Sequence, residues 1–224
     1  MRRLLALETS GDIGSVALLC GETISERTIA SPREQTATVL PHVHALLAEA
    51  GLSLRELDAI AFGRGPGSFT GLRVATAIAQ GFGLALDLPL LPVSSLAAIA
   101  QGCWREHGIG RCLVCVDARM GEVYWARYAI EDGLARLEGD ESLTAPDVVA
   151  AAWSGPWIAA GSGFAAYPAE LTALAECATR WVADAGAAAR DLLPLALDDL
   201  AAGRIPPLEA ALPAYLRRAD AWRR

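Results

Sequence analysis

The chain contains no lysine and no asparagine, so all 19 of its basic residues are arginine. Without lysine there is no Schiff-base amine and no P-loop lysine. Without asparagine there is no Asn-linked glycosylation acceptor. Histidine occurs 3 times, methionine 2 times, and aromatic residues make up 6% of the chain. The formal net charge is −7, so the cationic excess that grips nucleic acid unaided is missing. No run approaches ~18 uninterrupted apolar residues, the length of a membrane-spanning helix. The most apolar stretch, residues 74–86, holds Gln80 and two glycines, and Asp87 follows it. Arg2 and Arg3 imitate the start of a secretory leader, but the apolar run behind them ends at Glu8, too soon for an export signal. The five cysteines (Cys20, Cys103, Cys112, Cys115 and Cys177) are odd in number and do not read as a disulfide framework. Cys112 and Cys115 have C-x-x-C spacing. They sit in a strand-like run, where residues three apart point to opposite faces. A reducing, cytoplasmic location is expected.

What is present is a 224-residue chain, 53% apolar, long enough for one large domain or two small ones. Its first half reads as three strands, residues 4–9, 14–20 and 22–29, separated by turns at Gly11, Asp12 and Gly21. A helix is expected over 38–50, with Pro41 in its first turn and Gly51 at its end. A buried strand over 57–62, a helix over 70–86 and a proline-bearing edge strand over 88–93 follow. The second half repeats the pattern. Strands 112–118 and 122–130 form a hairpin around Arg119-Met120-Gly121, and 134–137 is a short third strand. Helix 146–153, strand 157–160, helix 168–178, strand 180–183 and helix 187–202 complete it. The expected fold is a duplicated βββαβαβ unit of α/β class with mixed sheets. The join is placed at 100–110, giving one lobe over 1–102 and a second over 103–224, with the last helix able to pack back on the first lobe.

The most distinctive stretch is Gly65-Pro66-Gly67-Ser68-Phe69-Thr70-Gly71-Leu72-Arg73, between a buried strand and a helix. Its glycines permit close backbone approach, Ser68 or Thr70 can cap the helix, and free amides at a helix start attract an anion. A tight, well-capped turn explains the same residues. The loop lacks the Walker Gly-Lys-Ser/Thr, and Thr70 occupies the third glycine position of a dinucleotide fingerprint.

This stretch, preceded by LDAIAFGR, closely resembles the signature of the TsaB (YeaZ) family. LLALETS (4–10), DARMGEVY (117–124), Gly161-Ser162-Gly163 and PAYLR (213–217) resemble the family's other landmarks, in the same order. The resemblance implies an actin-like (RNase H-like) fold shared with Hsp70 and sugar kinases. It implies a role in making threonylcarbamoyladenosine beside the anticodon of certain tRNAs, as a non-catalytic subunit that binds and activates the catalytic paralogue TsaD. It also implies contact with the ATPase TsaE through the complex, only indirect contact with tRNA, and no membrane partner. ATP or ADP and metal are then expected on the partner subunits, and no cofactor on this chain. The paralogue carries a His-x-x-x-His metal motif after the last strand of its first half. The matching segment here, residues 93–98, has no histidine.

Glu8, Thr9, Ser10 and Asp12 lie at the first hairpin, where actin-like ATPases hold phosphate and metal, and Asp117 occupies the analogous hairpin of the second half. Glu8, Thr9, Ser10 and Asp117 with Gly65, Gly67, Ser68 and Thr70 of the loop form a candidate vestigial phosphate site. Ordinary turn chemistry accounts for the same hydroxyls and carboxylates. A nucleotide-binding ATPase or kinase remains the alternative reading. A metallopeptidase is a weaker one, since convergent ligands are lacking. His42 and His44, two apart, diverge by about 200° on a helix.

Gly71, Ala75, Ala79 and Gly83 form a small-residue stripe that would let another helix approach. Val74, Ile78 and Phe82 run beside it, and Val39, Leu40, Val43, Leu46 and Leu47 widen the apolar face of the preceding helix. In the family the matching helices pair with the paralogue, or with a second copy. These residues are therefore the expected partner interface, and a homodimer is expected when the chain is alone. Arg217, Arg218, Trp222, Arg223 and Arg224 make a basic tail that could touch RNA or stay solvated.

Overall fold

The computed structural model describes residues 2–151 and 153–217. The chain divides into two compact units: residues 1–98 with 187–213, and residues 99–186 with the segment from Ala214. The division placed after residue 102 from sequence thus shifts to follow Ala98, and 187–213 return to the first unit.

The first unit opens with β1 (Arg3–Glu8), β2 (Gly14–Cys20) and β3 (Thr23–Ile29), an antiparallel meander. β4 (Ala59–Gly65) adds parallel to β1, and β5 (Leu90–Ser94) adds parallel to β4. The sheet order is β3-β2-β1-β4-β5, with the proline-bearing β5 at an edge, where a missing N–H costs no ladder bond. Alternation along the strands divides the burial. Leu5, Leu7, Val16, Leu18, Ile60 and Phe62 join the core formed with α1 (Pro32–Glu49) and α2 (Phe69–Leu86). Leu4, Ala6, Ala17, Leu19, Ala59 and Ala61 are equally buried on the opposite face, and α6 (Ala189–Ala201) packs against these strands. The Ala189 N–H donates to Ser15 Oγ at 2.7 Å and fixes where α6 begins.

The second unit repeats the scheme. β6 (Arg111–Arg119), β7 (Glu122–Glu131) and β8 (Leu134–Thr144) form the meander, and β9 (Ile158–Ala160) and β10 (Arg180–Val182) add in parallel. The order β10-β9-β6-β7-β8 is the first sheet's order read from the other end. Its core gathers Leu113, Cys115, Val123, Trp157, Ala159 and Phe164, with Leu171 and Ala175 of α5 (Pro168–Glu176). α4 (Gly163–Ala166) precedes α5.

Four differences from the sequence reading are the largest. α1 starts at Pro32, six residues before the expected position, because Ser31 Oγ caps the Arg33 amide and proline occupies the first helical position. Pro41 consequently lies inside the helix, on its exposed side. The join at 100–110 is mostly helix: α3 (Ser95–His107) is capped by Ser94 Oγ on the Ala97 amide and ended by Gly108 at φ 68°. β8 continues to Thr144, past the acidic Glu138, Asp140 and Glu141, which suit an edge strand. The helix expected over 146–153 shrinks to one 3-10 turn, Pro146–Val148. The chain straightens at Val149, and Trp153 packs against Trp157 and donates to Glu138 Oε2 at 2.8 Å.

α2 is long and apolar enough to cross a membrane by length and composition alone, but its inward face packs on β4 and β1. Cys112 and Cys115 are both buried within β6 and are free thiols. Burial pushes the Cys115 thiol up to about 12.

Candidate functional site

β1 and β4 are neighbours, so the residues that end them meet at one edge of the first sheet. Glu8 closes β1 and is fully buried, as is Thr9; Ser10 is nearly so. The Glu8 carboxylate accepts the Ser10 N–H at Oε1 (2.6 Å) and the Ser95 hydroxyl at Oε2 (2.9 Å). It lies against Gly63, where any Cβ would overlap it. Burial raises the Glu8 pKa, and the hydrogen bonds from Ser10, Ser95 and the Thr9 amide oppose the rise in part.

The glycine-rich turn closes onto this strand end. The Thr9 hydroxyl donates to Gly71 O at 2.6 Å, and the Ser68 amide donates to Ser10 O at 2.8 Å. Ser68 Oγ caps α2 by accepting the Gly71 N–H at 3.3 Å. A Cβ at Gly67 would stand 2.6 Å from Ser10 O, and one at Gly71 would overlap Thr9 O. These two positions need glycine so that the chain's own hairpin can approach. Gly65, at φ 94°, turns the strand out of the sheet ahead of a cis proline. Gln35 of α1, buried and absent from the sequence expectation, donates to Gly11 O at 3.0 Å. The structure thus brings Glu8, Thr9, Ser10, Gly67 and Ser68 together: Ser10 bonds both Glu8 and Ser68, Thr9 bonds Gly71, and Gly67 lies against Ser10. Thr70 stays exposed at the helix start.

Asp117 belongs to the second unit, where the corresponding edge is built the same way. Its Oδ1 accepts the Tyr167 hydroxyl at 3.0 Å and the Arg119 amide at 2.8 Å, and Oδ2 pairs with the Arg119 guanidinium at 2.9 Å. The Asp117 amide donates to Ser162 Oγ at 3.1 Å. A Cβ at Gly161 would lie 2.5 Å from Cys115 O, and one at Gly163 would lie 2.6 Å from Cys115 Sγ. Among the described residues, no three of His, Cys, Asp and Glu converge as a metal-binding group.

The expected helical interface is divided by the fold. Val39, Val43, Leu46, Leu47, Ala75 and Ala79 lie in the core of the first unit, and Gly71 and Gly83 are buried too. The small-residue stripe is therefore a correction: it lets α2 settle on its own sheet. A side chain at Gly71 would strike Thr9, and one at Gly83 would press on Leu90 and Leu208 at 3.0 Å. Val74, Ile78 and Phe82 are half-buried, and Leu40 is exposed. The outward stripe of α2 runs instead through Thr70, Arg73, Ala77, Gly81 and Leu84, and α1 exposes Ala37, Leu40, Pro41 and His44. Leu84 is 77% exposed. Phe69, also exposed, is covered by the Arg73 guanidinium 3.7 Å above its ring. Arg73, the one charged residue inside α2, marks the outward phase: Ala77, Gly81 and Leu84 lie four, eight and eleven residues on. Of the basic tail, only Arg217 lies within the described residues; Arg218, Trp222, Arg223 and Arg224 lie outside them.

The TsaD family model, described as tRNA N6-adenosine threonylcarbamoyltransferase, matches residues 23–221. The chain is 41% identical to the tRNA threonylcarbamoyladenosine biosynthesis protein TsaB of Escherichia coli, covering 99% of this chain and 97% of that one. It is 46% identical to the Haemophilus influenzae TsaB over 57% of this chain and 54% of that one. Among solved structures, YeaZ from Pseudomonas aeruginosa superposes with a TM-score of 0.90 at 41% identity, over 96% of this chain and 100% of that one. A second Pseudomonas aeruginosa structure, of a protein similar to peptidase YEAZ, gives 0.91 at 42% identity, over 97% and 100%. Identity of this order along nearly the whole length, together with the shared two-sheet fold, places the chain in the TsaB (YeaZ) family of tRNA threonylcarbamoyladenosine biosynthesis proteins.

Proposed function

We propose that the chain is a non-catalytic partner subunit in tRNA threonylcarbamoyladenosine formation, which binds and activates a TsaD-type catalytic paralogue in the cytoplasm. The observation that carries this reading is the closed state of the buried part of the candidate phosphate site, Glu8, Thr9 and Ser10 with the Ser68 amide; Thr70 stands exposed at the helix start. The Ser10 amide, the Ser95 hydroxyl, the Ser68 amide and the Thr9 hydroxyl are all engaged with protein atoms, and the Glu8 carboxyl is sealed beneath Gly63. Groups already satisfied inside the fold have nothing left to offer a phosphate or a hydrated metal. Nucleotide and metal then belong on the partner subunits, TsaE acts through the complex, and tRNA contact is indirect.

The surface left to do the work is the outer side of α1 and α2. Leu40, Ala77, Leu84 and the Phe69–Arg73 pair are apolar or amphipathic and exposed, the composition of an interface core. In the absence of the paralogue the same face pairs with a second copy.

Co-purification of the tagged chain with the TsaD-type paralogue of the same organism, with and without nucleotide, tests the reading. A stable one-to-one complex is expected. Tight magnesium-dependent ATP binding by the isolated chain, with no complex formed, would favour the ATPase alternative.

A further inference from the structure

Three sequence landmarks of the second unit have no part in the partner reading, yet they meet at one point. They are the 117–124 stretch, the Gly161-Ser162-Gly163 loop and the C-terminal PAYLR. The meeting point is the tip of the β6–β7 hairpin. There Arg119, Met120 and Gly121 all have left-handed backbones, with φ of 63°, 58° and 76°. Two successive side-chain-bearing residues in that region are uncommon, and they persist only where their surroundings over-determine them.

The surroundings do so from two sides. From one, Asp117 Oδ1 accepts the Arg119 amide, and Asp117 is itself held by Ser162 and Tyr167. From the other comes Arg217, whose side chain is only 8% exposed. Its Nη2 donates to Ala118 O at 3.0 Å and Arg119 O at 3.2 Å. Its Nη1 pairs with Glu122 Oε2 at 2.7 Å and lies 3.3 Å from Met120 Sδ. One planar guanidinium thus grips both sides of the turn, a task its fork geometry suits and an ammonium does not. Met120 is left 61% exposed at the tip.

We propose that Arg217 is a positioning residue, a latch that holds the 118–121 turn in one left-handed form and, through it, keeps the Arg119 amide on Asp117. The order of the hairpin is therefore conditional on a segment nearly a hundred residues further along the chain. This inference does not depend on the partner reading.

The chain has two methionines, so methyl-labelled methionine gives two signals, and Met120→Leu assigns one of them. In the full chain, Arg217→Gln is expected to move the Met120 methyl to the position of a disordered methionine. The same change should speed amide exchange at 118–122 by about tenfold or more, with the amides of residues 112–116 in β6 and of β9 unchanged. Arg217→Lys keeps the charge on Glu122 without the fork and falls between. If Arg217→Gln does not fold, Glu122→Gln carries the test, with a smaller shift of the same sign. An unmoved Met120 signal and unchanged exchange in every folded variant would overturn the latch. Equal loosening of the whole second unit would also overturn it, because Arg217 would then be a general stabiliser.

Discussion

In the first unit the two segments that follow the meander are helices of 18 residues each. In the second, the matching segments are a 3-10 turn of 3 residues and helices of 4 and 9 residues. The strand order is nevertheless the same, and so is the way each edge is closed. A glycine loop after the fourth strand lies against the first strand in each: Gly67 and Gly71 on the backbone of Ser10 and Thr9 just past the end of β1, Gly161 on the Cys115 carbonyl and Gly163 on the Cys115 sulfur, within β6. The units differ in depth. Glu8 is fully buried, whereas the Asp117 side chain is 12% exposed and paired with an arginine. Duplication has kept the topology and the loop closure while the covering helices diverged. The long helices of the first unit leave Leu40, Phe69 and Leu84 exposed on their outer side.

The largest effect that would sharpen this comparison is steric. Gly71→Ala puts a methyl group into a backbone carbonyl, which cannot retreat without moving β1, and should cost about 3 kcal/mol or more. Gly163→Ala meets the Cys115 sulfur first and should cost less, about 1–2 kcal/mol. Denaturant titration of each variant ranks the two; the reverse order would mean that the second unit is the more tightly closed.

The next effect depends on pH. Burial raises the folded-state pKa of Glu8 above its unfolded value of about 4.3, so ionising it in the fold opposes stability. The penalty is absent below the unfolded pKa, grows as pH rises through the folded pKa, and is complete above it. Glu8→Gln can keep both hydrogen bonds and removes the charge. Its stability relative to the parent should therefore improve as pH rises above about 4.3. A difference that stays constant with pH would show that Glu8 ionises in the fold without penalty.

Smaller again is the loss of the Tyr167 hydroxyl, a half-exposed hydrogen bond to Asp117. Tyr167→Phe should cost about 0.5–1.5 kcal/mol by thermal or denaturant melting. A loss as large as that of Gly71→Ala would make the second edge, and not the first, the tightly held one.

Much of this fold is legible in the sequence because it rests on local signals. β2 is bounded as the sequence predicts, and β1, β7, α2 and α5 fall within two residues of expectation. Where the structure departs from expectation, either a short polar signal or a longer-range pairing decides. The start of α1 is polar, so periodicity is silent there, although Ser31-Pro32 carries the cap. The acidic half of β8 is made a strand by its pairing with β7. The loop and the strand end of the candidate site are both visible in sequence, but their mutual satisfaction is not. That depends on Gln35 and Ser95, which lie on α1 and α3, outside both motifs. The small-residue stripe is a close-packing surface, as its spacing predicts, but its neighbour is the sheet of its own unit and not another helix. Only the phase set by Arg73 separates the inward stripe from the outward one.

Whether the outer face of α1 and α2 carries the function is decided at Ala77. Ala79 has no exposed surface, so arginine there would test only the fold. Ala77 is exposed, so Ala77→Arg should leave melting unchanged. Affinity for the TsaD-type paralogue, measured by titration calorimetry for the parent, Ala77→Ser and Ala77→Arg, is the decisive quantity. Near-parental binding is expected for serine and a loss of at least tenfold, about 1.4 kcal/mol, for arginine. Parental affinity in the folded Ala77→Arg chain would contradict it and place the interface elsewhere.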